Sequence, residues 1–210
     1  SPAGFAAVLM LLIVGTLLGK GVDARYLMAI GLIVLAIGNF WFSQLNLQIG
    51  PWQVVWPRVV LISGLSMIFA PLNVAAFLYI PKELRGAAVG LLALLRNEGG
   101  SVGTSLAQTV LERREQFHTL RLNEWLDPLN PAIHNFLNRG QAFFLQQTGD
   151  LARAQSMTLD ALERLRNQQA LALGYFDVFW ASAALAAGLV FLVLLMRRSV
   201  AEKGAHIGGE

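Results

Sequence analysis

A short polar run interrupts an otherwise apolar part of the sequence between residues 86 and 105, and it contains Arg96, Asn97 and Glu98. At 3.6 residues per helical turn, Arg96 shares a face with several glycines, while Asn97 and Ser101 lie on an adjoining polar strip. A guanidinium near the middle of a bilayer costs about 2.5–3.5 kcal/mol, so we expect it to face away from lipid. Either Arg96 has a substrate- or proton-linked role in a wet cavity, or helix carbonyls and a partner acid hold it structurally.

Glu98 is the carboxyl group closest to Arg96 along the chain. Residues two positions apart lie on roughly opposite faces of a helix, so we do not expect the two side chains to pair. The face that carries Glu98 is mainly apolar. A carboxyl group there either carries a proton or stays neutral against a neighbouring helix, and the sequence leaves both roles open.

The preceding apolar run has three further candidates. Pro71 removes a helix hydrogen bond and predicts a kink, so the freed carbonyls and the Asn73 amide either line a cavity or serve packing only. Arg58 is also a pathway candidate, although an arginine at the edge of a span more often extends to lipid headgroups. Small residues that let helices approach closely recur in the polar run. They are Gly86, Gly90, Gly99, Gly100 and Gly103.

No catalytic constellation accompanies these residues. The chain has no cysteine and three histidines, and all three histidines lie outside the apolar runs, so we expect no metal site, no cofactor and no enzymatic activity. The net charge of +3 is divided among small groups between apolar runs, without the basic face that nucleic-acid binding requires.

Long apolar runs must position the candidate residues. Apolar residues make up 55% of the 210-residue chain and charged residues 14%, against about 25% charged residues in soluble domains. This composition excludes a soluble enzyme, a disordered chain and a disulfide-stapled module. About 20 apolar residues cross a bilayer as a helix, because backbone polar groups in hydrocarbon must pair internally. We therefore predict an all-α, polytopic helical membrane protein with five transmembrane helices at 3–18, 26–43, 59–80, 87–110 and 178–196.

The positive charges predict the orientation. Lysine and arginine lie in the linkers 19–25 and 81–86 and after residue 196, so these segments, including the tail 197–210, are expected in the cytoplasm. The polar segment 111–177 is then a long extracytoplasmic helical loop. We expect its start to continue the fourth span, and a helix capped by Asp150 to run into the last span. This loop is either a solvated helical hairpin or a docking surface for a partner.

Ordered motifs along the chain resemble one transporter family. The sequence Pro81-Lys-Glu-Leu-Arg85-Gly86, followed by Arg96-Asn97-x-Gly99-Gly100-Ser101-x-Gly103, resembles the C-terminal half of EmrB/QacA-type transporters. These form the fourteen-span drug:proton antiporter branch of the major facilitator superfamily. Further matches in chain order are Ser1-Pro2-Ala3-Gly4, Gly19-x-x-x-Asp23-x-Arg25, Pro57-Arg58 with Gly64, Glu112-Arg113-Arg114-x-x-x-His118 and Tyr175-x-Asp177-x-Phe179.

The resemblance implies that the five runs are spans ten to fourteen, most of a C-terminal six-helix bundle, and that the chain is a fragment. Gly19, Asp23 and Arg25 would echo the cytoplasmic loop motif of the superfamily. The implied activity is proton-coupled efflux of amphipathic molecules by alternating access in the bacterial inner membrane. Its partners would be the lipid bilayer and the missing N-terminal half of the same chain, with or without a periplasmic adaptor protein. The alternative is a membrane scaffold that holds a partner through its extracytoplasmic loop.

Overall fold

The computed structural model describes residues 2–47, 50–127 and 130–196, and the predicted tail 197–210 and Pro128 lie outside them. The described residues are 89% helical, and they contain no β-strand. The expected all-α class is therefore confirmed. The helices are α1 (Pro2–Gly19), α2 (Ala24–Ser43), α3 (Pro51–Phe77), a short 3₁₀ helix (Lys82–Leu84), α4 (Arg85–Trp125), α5 (Pro131–Thr148) and α6 (Leu151–Leu194).

Within the described residues, four segments are long and apolar enough to cross a membrane, and they lie in α1, α2, α3 and α6. The predicted spans 3–18 and 26–43 fall inside α1 and α2, whereas α3 ends at Phe77, before the predicted boundary at residue 80. The predicted fourth span, 87–110, lies in α4. That helix is not among the four, because its polar run lowers its mean hydropathy. A crossing by α4 therefore stays a prediction.

The chain forms two compact units. The apolar unit comprises residues 1–105 and 178–210, and the polar unit comprises residues 106–177. Both α4 and α6 are continuous across these boundaries, which confirms that the long polar segment extends the helices on either side of it.

The core of the apolar unit lies where α1, the linker after it and α2 meet α3. Val14, Leu18, Ala24 and Leu27 are buried there and pack against apolar side chains such as Met67. Lipid tails are as apolar as these side chains, so close van der Waals packing holds the three helices together in a bilayer.

Three glycines form the contact between α2 and α3. A Cβ atom added at Gly38 would lie 2.8 Å from the backbone nitrogen of Leu61, and one added at Gly64 would lie 2.5 Å from that of Leu35. A Cβ atom at Gly31 would also meet α3, at 3.0 Å from the carbonyl oxygen of Gly64. The two backbones therefore touch at a distance that no larger residue permits.

The glycines that the sequence analysis selected behave differently. A Cβ atom added at Gly86, Gly90, Gly99, Gly100 or Gly103 would meet no atom within 4 Å. No helix of the described residues packs closely on this face of α4, so a packing role for these glycines stays a prediction.

The polar unit has well-formed helix ends. The carboxylate of Asp150 accepts a hydrogen bond from the backbone N–H of Ala152 at 2.9 Å, which confirms it as the N-cap of α6. Gly149, at the end of α5, has a φ of 66°, which is the left-handed conformation that glycine tolerates best.

We expect Gly38→Ala to lower the free energy of unfolding of the protein in detergent micelles by about 1–3 kcal/mol, because the added methyl group overpacks a backbone contact. Gly15→Ala is the matched control, since a Cβ atom there meets nothing within 4 Å. Equal stability of the two variants in thermal or chemical unfolding would refute the close contact.

Candidate functional site

Arg96 lies well inside α4, eleven residues after Arg85 begins the helix. At 1.5 Å per residue this is about 16 Å along the axis, roughly half of a hydrocarbon layer about 30 Å thick. Its side chain is exposed within this chain. If α4 crosses the membrane as predicted, Arg96 is near the middle of the bilayer.

The guanidinium of Arg96 contacts an aromatic ring of the preceding helix. Its Cζ atom lies 4.5 Å from the ring centroid of Phe69 in α3. Phe69 precedes the end of α3 at Phe77 by eight residues, or about 12 Å. The two residues therefore lie at similar distances from the linker that joins their helices, as expected for antiparallel neighbours.

If α4 crosses the membrane as predicted, the cation–π contact offsets part of the cost of placing Arg96 in an apolar layer. A guanidinium at the bilayer centre costs about 2.5–3.5 kcal/mol, and a desolvated cation–π pair contributes about 2 kcal/mol. Within residues 2–47, 50–127 and 130–196, Arg96 has no ion pair and no hydrogen bond. A partner acid, which the structural alternative requires, is therefore not found in the described chain.

Asn73 and Pro71 lie on the same part of α3. The Asn73 side-chain amide donates a hydrogen bond to the carbonyl oxygen of Phe69 at 2.9 Å, so this amide binds its own helix. The Pro71 side chain is fully buried, and α3 continues through it to Phe77. Phe69 and Asn73, four positions apart, thus share the face of α3 that lies towards Arg96, and Pro71 lies on the opposite, buried face.

The polar strip on α4 is exposed along its length. Asn97, Glu98 and Ser101 are all exposed, and no ion pair joins Arg96 to Glu98 in the part of the chain that the structure describes. This agrees with the opposite faces predicted for the two residues. The Thr104 hydroxyl donates to the carbonyl oxygens of Gly100 and Ser101, at 3.1 and 2.9 Å.

Arg58 lies away from Arg96, Phe69 and Asn73. It is exposed, next to the buried Pro57, and it precedes Phe69 by eleven residues of α3, or about 16 Å along the axis. The structure therefore brings Arg96, Phe69 and Asn73 to one region and leaves Arg58 towards the other end of α3.

The linker between α1 and α2 contains the predicted loop motif. Asp23 is 7% exposed, caps α2 by accepting from the Arg25 backbone N–H at 3.2 Å, and pairs with the Arg25 Nε at 2.9 Å. Gly19 ends α1. Gly21 was not part of the predicted motif. Its backbone has a φ of 85°, which glycine adopts readily because it lacks a Cβ atom, and this conformation makes the turn.

Two sequence motifs that lie far apart meet in the polar unit. The Asp177 Oδ2 atom lies 2.7 Å from His118 Nε2 and 3.5 Å from Arg114 Nε. Beside this cluster, Leu111 is 7% exposed, and a Cβ atom at Gly174 would lie 3.1 Å from its Cδ1 atom. The two helices are therefore joined by an apolar contact and by a carboxylate that binds two basic side chains.

Comparison with known proteins shows that several export and resistance proteins are similar to this chain. The chain is 30% identical to the multidrug export protein EmrB of Haemophilus influenzae over 92% of its length, and 27% identical to the fatty acid resistance protein FarB of Neisseria gonorrhoeae over its full length. It is 28% identical to the multidrug export protein EmrB of Escherichia coli over 93% of its length. It spans only 36–38% of the length of these relatives. No family model matches the chain, and no solved structure gives a significant match.

In the part of the chain that the structure describes, four apolar helices are long enough to cross a membrane, as in a multi-pass membrane protein. The relatives are named as export proteins, resistance proteins or transporters, and none of these names is that of an enzyme. The chain is therefore similar to the C-terminal part of EmrB- and FarB-type export proteins. The relatives support transport over the alternative of a membrane scaffold.

We expect Asp177→Ala to destabilise the polar unit locally by about 1 kcal/mol, because a charged hydrogen bond contributes about 1.5–3 kcal/mol and partial exposure weakens it. Amide hydrogen exchange near Leu111 and His118 should then accelerate about fivefold. Asp160→Ala is the control, since Asp160 is exposed on the same unit. Unchanged exchange in Asp177→Ala would show that the cluster does not stabilise the unit.

Proposed function

We propose that this chain is the C-terminal part of a proton-coupled exporter of small amphipathic molecules that works by alternating access. The observation that carries the proposal is the guanidinium of Arg96, which is deep in α4, lies against Phe69 and has no acidic partner in the described residues. A cation in such a position needs either an anionic ligand or a wet cavity, and an export pathway supplies both.

The chemistry of α3 and α4 fits an amphipathic anion. Arg96 offers five N–H donors to a carboxylate or a comparable group, and exposed apolar side chains of α3 such as Leu65 offer apolar surface to the rest of the molecule. A relative whose name records fatty acid resistance supports this class of substrate, because a fatty acid joins a carboxylate to an apolar chain.

Alternating access requires a second helix bundle that faces the first across a cavity. The N-terminal half of the full-length protein would supply that bundle. The exposed face of α4, with Gly99, Gly100 and Gly103, has the small residues that let such helices approach and slide. Asn97 and Ser101 would line the cavity beside Arg96.

The proposed orientation follows from the positive charges. Lys20, Arg25 and Arg85 lie in the two linkers that precede α2 and α4, so these linkers and Glu210 are placed in the cytoplasm of a bacterium, with the transporter in its inner membrane. The polar unit then faces the periplasm, where a periplasmic adaptor protein is its candidate partner.

We expect Arg96→Gln to reduce export of an anionic amphiphile, such as laurate, at least tenfold, since one charged hydrogen bond is worth about 1.5–3 kcal/mol. The assay is efflux from cells that express the full-length protein, normalised to the amount in the membrane. Arg139→Gln, an exposed change in α5, is the matched control. Normal laurate efflux by Arg96→Gln would remove Arg96 from the mechanism.

Glu98 is the proposed proton carrier. It is exposed on α4 and has no ion pair in the part of the chain that the structure describes, so its carboxylate is accessible to a proton. Its position on the opposite face from Arg96 keeps the proton and an anionic substrate on separate surfaces of one helix.

In proteoliposomes with an imposed pH gradient, Glu98→Gln should abolish substrate-dependent proton entry while the variant still binds substrate. An amide of the same shape cannot take up and release the proton, which is the physical reason for this separation. Glu124→Gln, in the polar unit, is the control. Proton entry at the normal rate in Glu98→Gln would assign coupling to another group.

A further inference from the structure

Phe69 has a role that follows from the kind of contact it makes. A guanidinium over an aromatic ring is attracted by the π face of the ring, so the contact does not require any of its N–H groups as hydrogen-bond donors. The Arg96 Cζ atom lies 4.5 Å from the Phe69 ring centroid, and none of its N–H groups has an acceptor in the described residues. The contact therefore holds the cation without using its hydrogen-bond donors.

We infer that Phe69 is a positioning residue that orients Arg96 towards the anionic group of the exported molecule and so sets the preference for anionic over uncharged substrates. This inference rests on the proposed export function and deepens it. A carboxylate in place of the ring would also stabilise Arg96, but it would neutralise the charge and occupy the donors. A phenyl ring leaves both available.

The neighbouring residues fix the ring in place. The Asn73 side chain donates to the Phe69 carbonyl oxygen at 2.9 Å, and the Pro71 side chain between them is fully buried. The backbone that carries Phe69 is therefore held from two sides. The contact with this ring restricts the positions of the Arg96 side chain before substrate binds, so Arg96 loses less conformational entropy when an anion binds.

The test compares Phe69→Leu with Phe69→Trp in the full-length protein in proteoliposomes. The substrates are laurate, which is anionic, and Nile red, which is uncharged. Phe69→Leu keeps an apolar side chain but loses the ring, so KM for laurate should rise about tenfold. The kcat for laurate and both constants for Nile red should stay within about twofold. Phe69→Trp should restore a normal KM, because indole is the stronger cation–π partner.

Phe40→Leu is the matched control, since Phe40 is exposed to a similar extent, 51% against 48% for Phe69, and lies on α2. A double-mutant cycle completes the design: in an Arg96→Gln background, Phe69→Leu should have no further effect on laurate export. Rates are expressed per mole of inserted protein, so that a variant that inserts poorly is not mistaken for an inactive one.

Three results would overturn the inference: an equal loss of laurate and Nile red export in Phe69→Leu, additive effects of the two substitutions, or no recovery in Phe69→Trp. A tenfold loss in Arg96→Gln with a normal Phe69→Leu would overturn the role of Phe69 and leave the proposed function intact. Normal laurate export in Arg96→Gln, or none in the unchanged protein, would overturn the proposed role of Arg96 and the inference with it.

Discussion

A charged group on an apolar helix constrains the surroundings of that helix. The guanidinium of Arg96 and the small and polar residues beside it form a face of α4 that is unsuited to hydrocarbon, and no helix in the described residues packs closely on that face at Gly99 or Gly103. If α4 crosses the membrane as predicted, protein from elsewhere or a water-filled cavity must therefore cover this face. The relatives, which are more than twice as long as this chain, have enough additional sequence to provide that cover.

The glycines of α2 and α3 lie in a close helix–helix contact, unlike the uncovered glycines of α4. Gly38 and Gly64 bring two backbones into direct contact, so this part of the apolar unit is rigid and closed, whereas the glycine-rich face of α4 is open. The glycines on the open face were selected from the sequence as positions of close helix packing, and that role stays a prediction. The closed contact was missed because it uses Gly31 and Gly38, two turns apart, with Gly64 on the partner helix. A spacing rule applied to one helix cannot show which face its neighbour meets.

Periodicity and end signals predicted much of the fold. The helical class, the continuity of α4 and α6 with the polar segment, and the Asp150 cap depend on local sequence. The contacts of the site depend on distant residues. Phe69 in an apolar helix resembles any core phenylalanine, and only the three-dimensional structure shows that its ring lies against Arg96. Asp177 and His118 were each part of a motif, but 59 positions separate them.

A partner that stabilises the Arg96 guanidinium more strongly would leave its charge and its N–H donors less available to a ligand. A carboxylate beside it would give the larger Coulomb interaction in a medium of low dielectric constant, and removal of one partner from such a buried pair costs about 3–5 kcal/mol. The described chain instead places a phenyl ring there, which stabilises the cation less and leaves its charge unneutralised. Departures from the most stable local arrangement are concentrated at functional sites. The weaker partner at Arg96 therefore supports a guanidinium that serves transport over one that serves the fold.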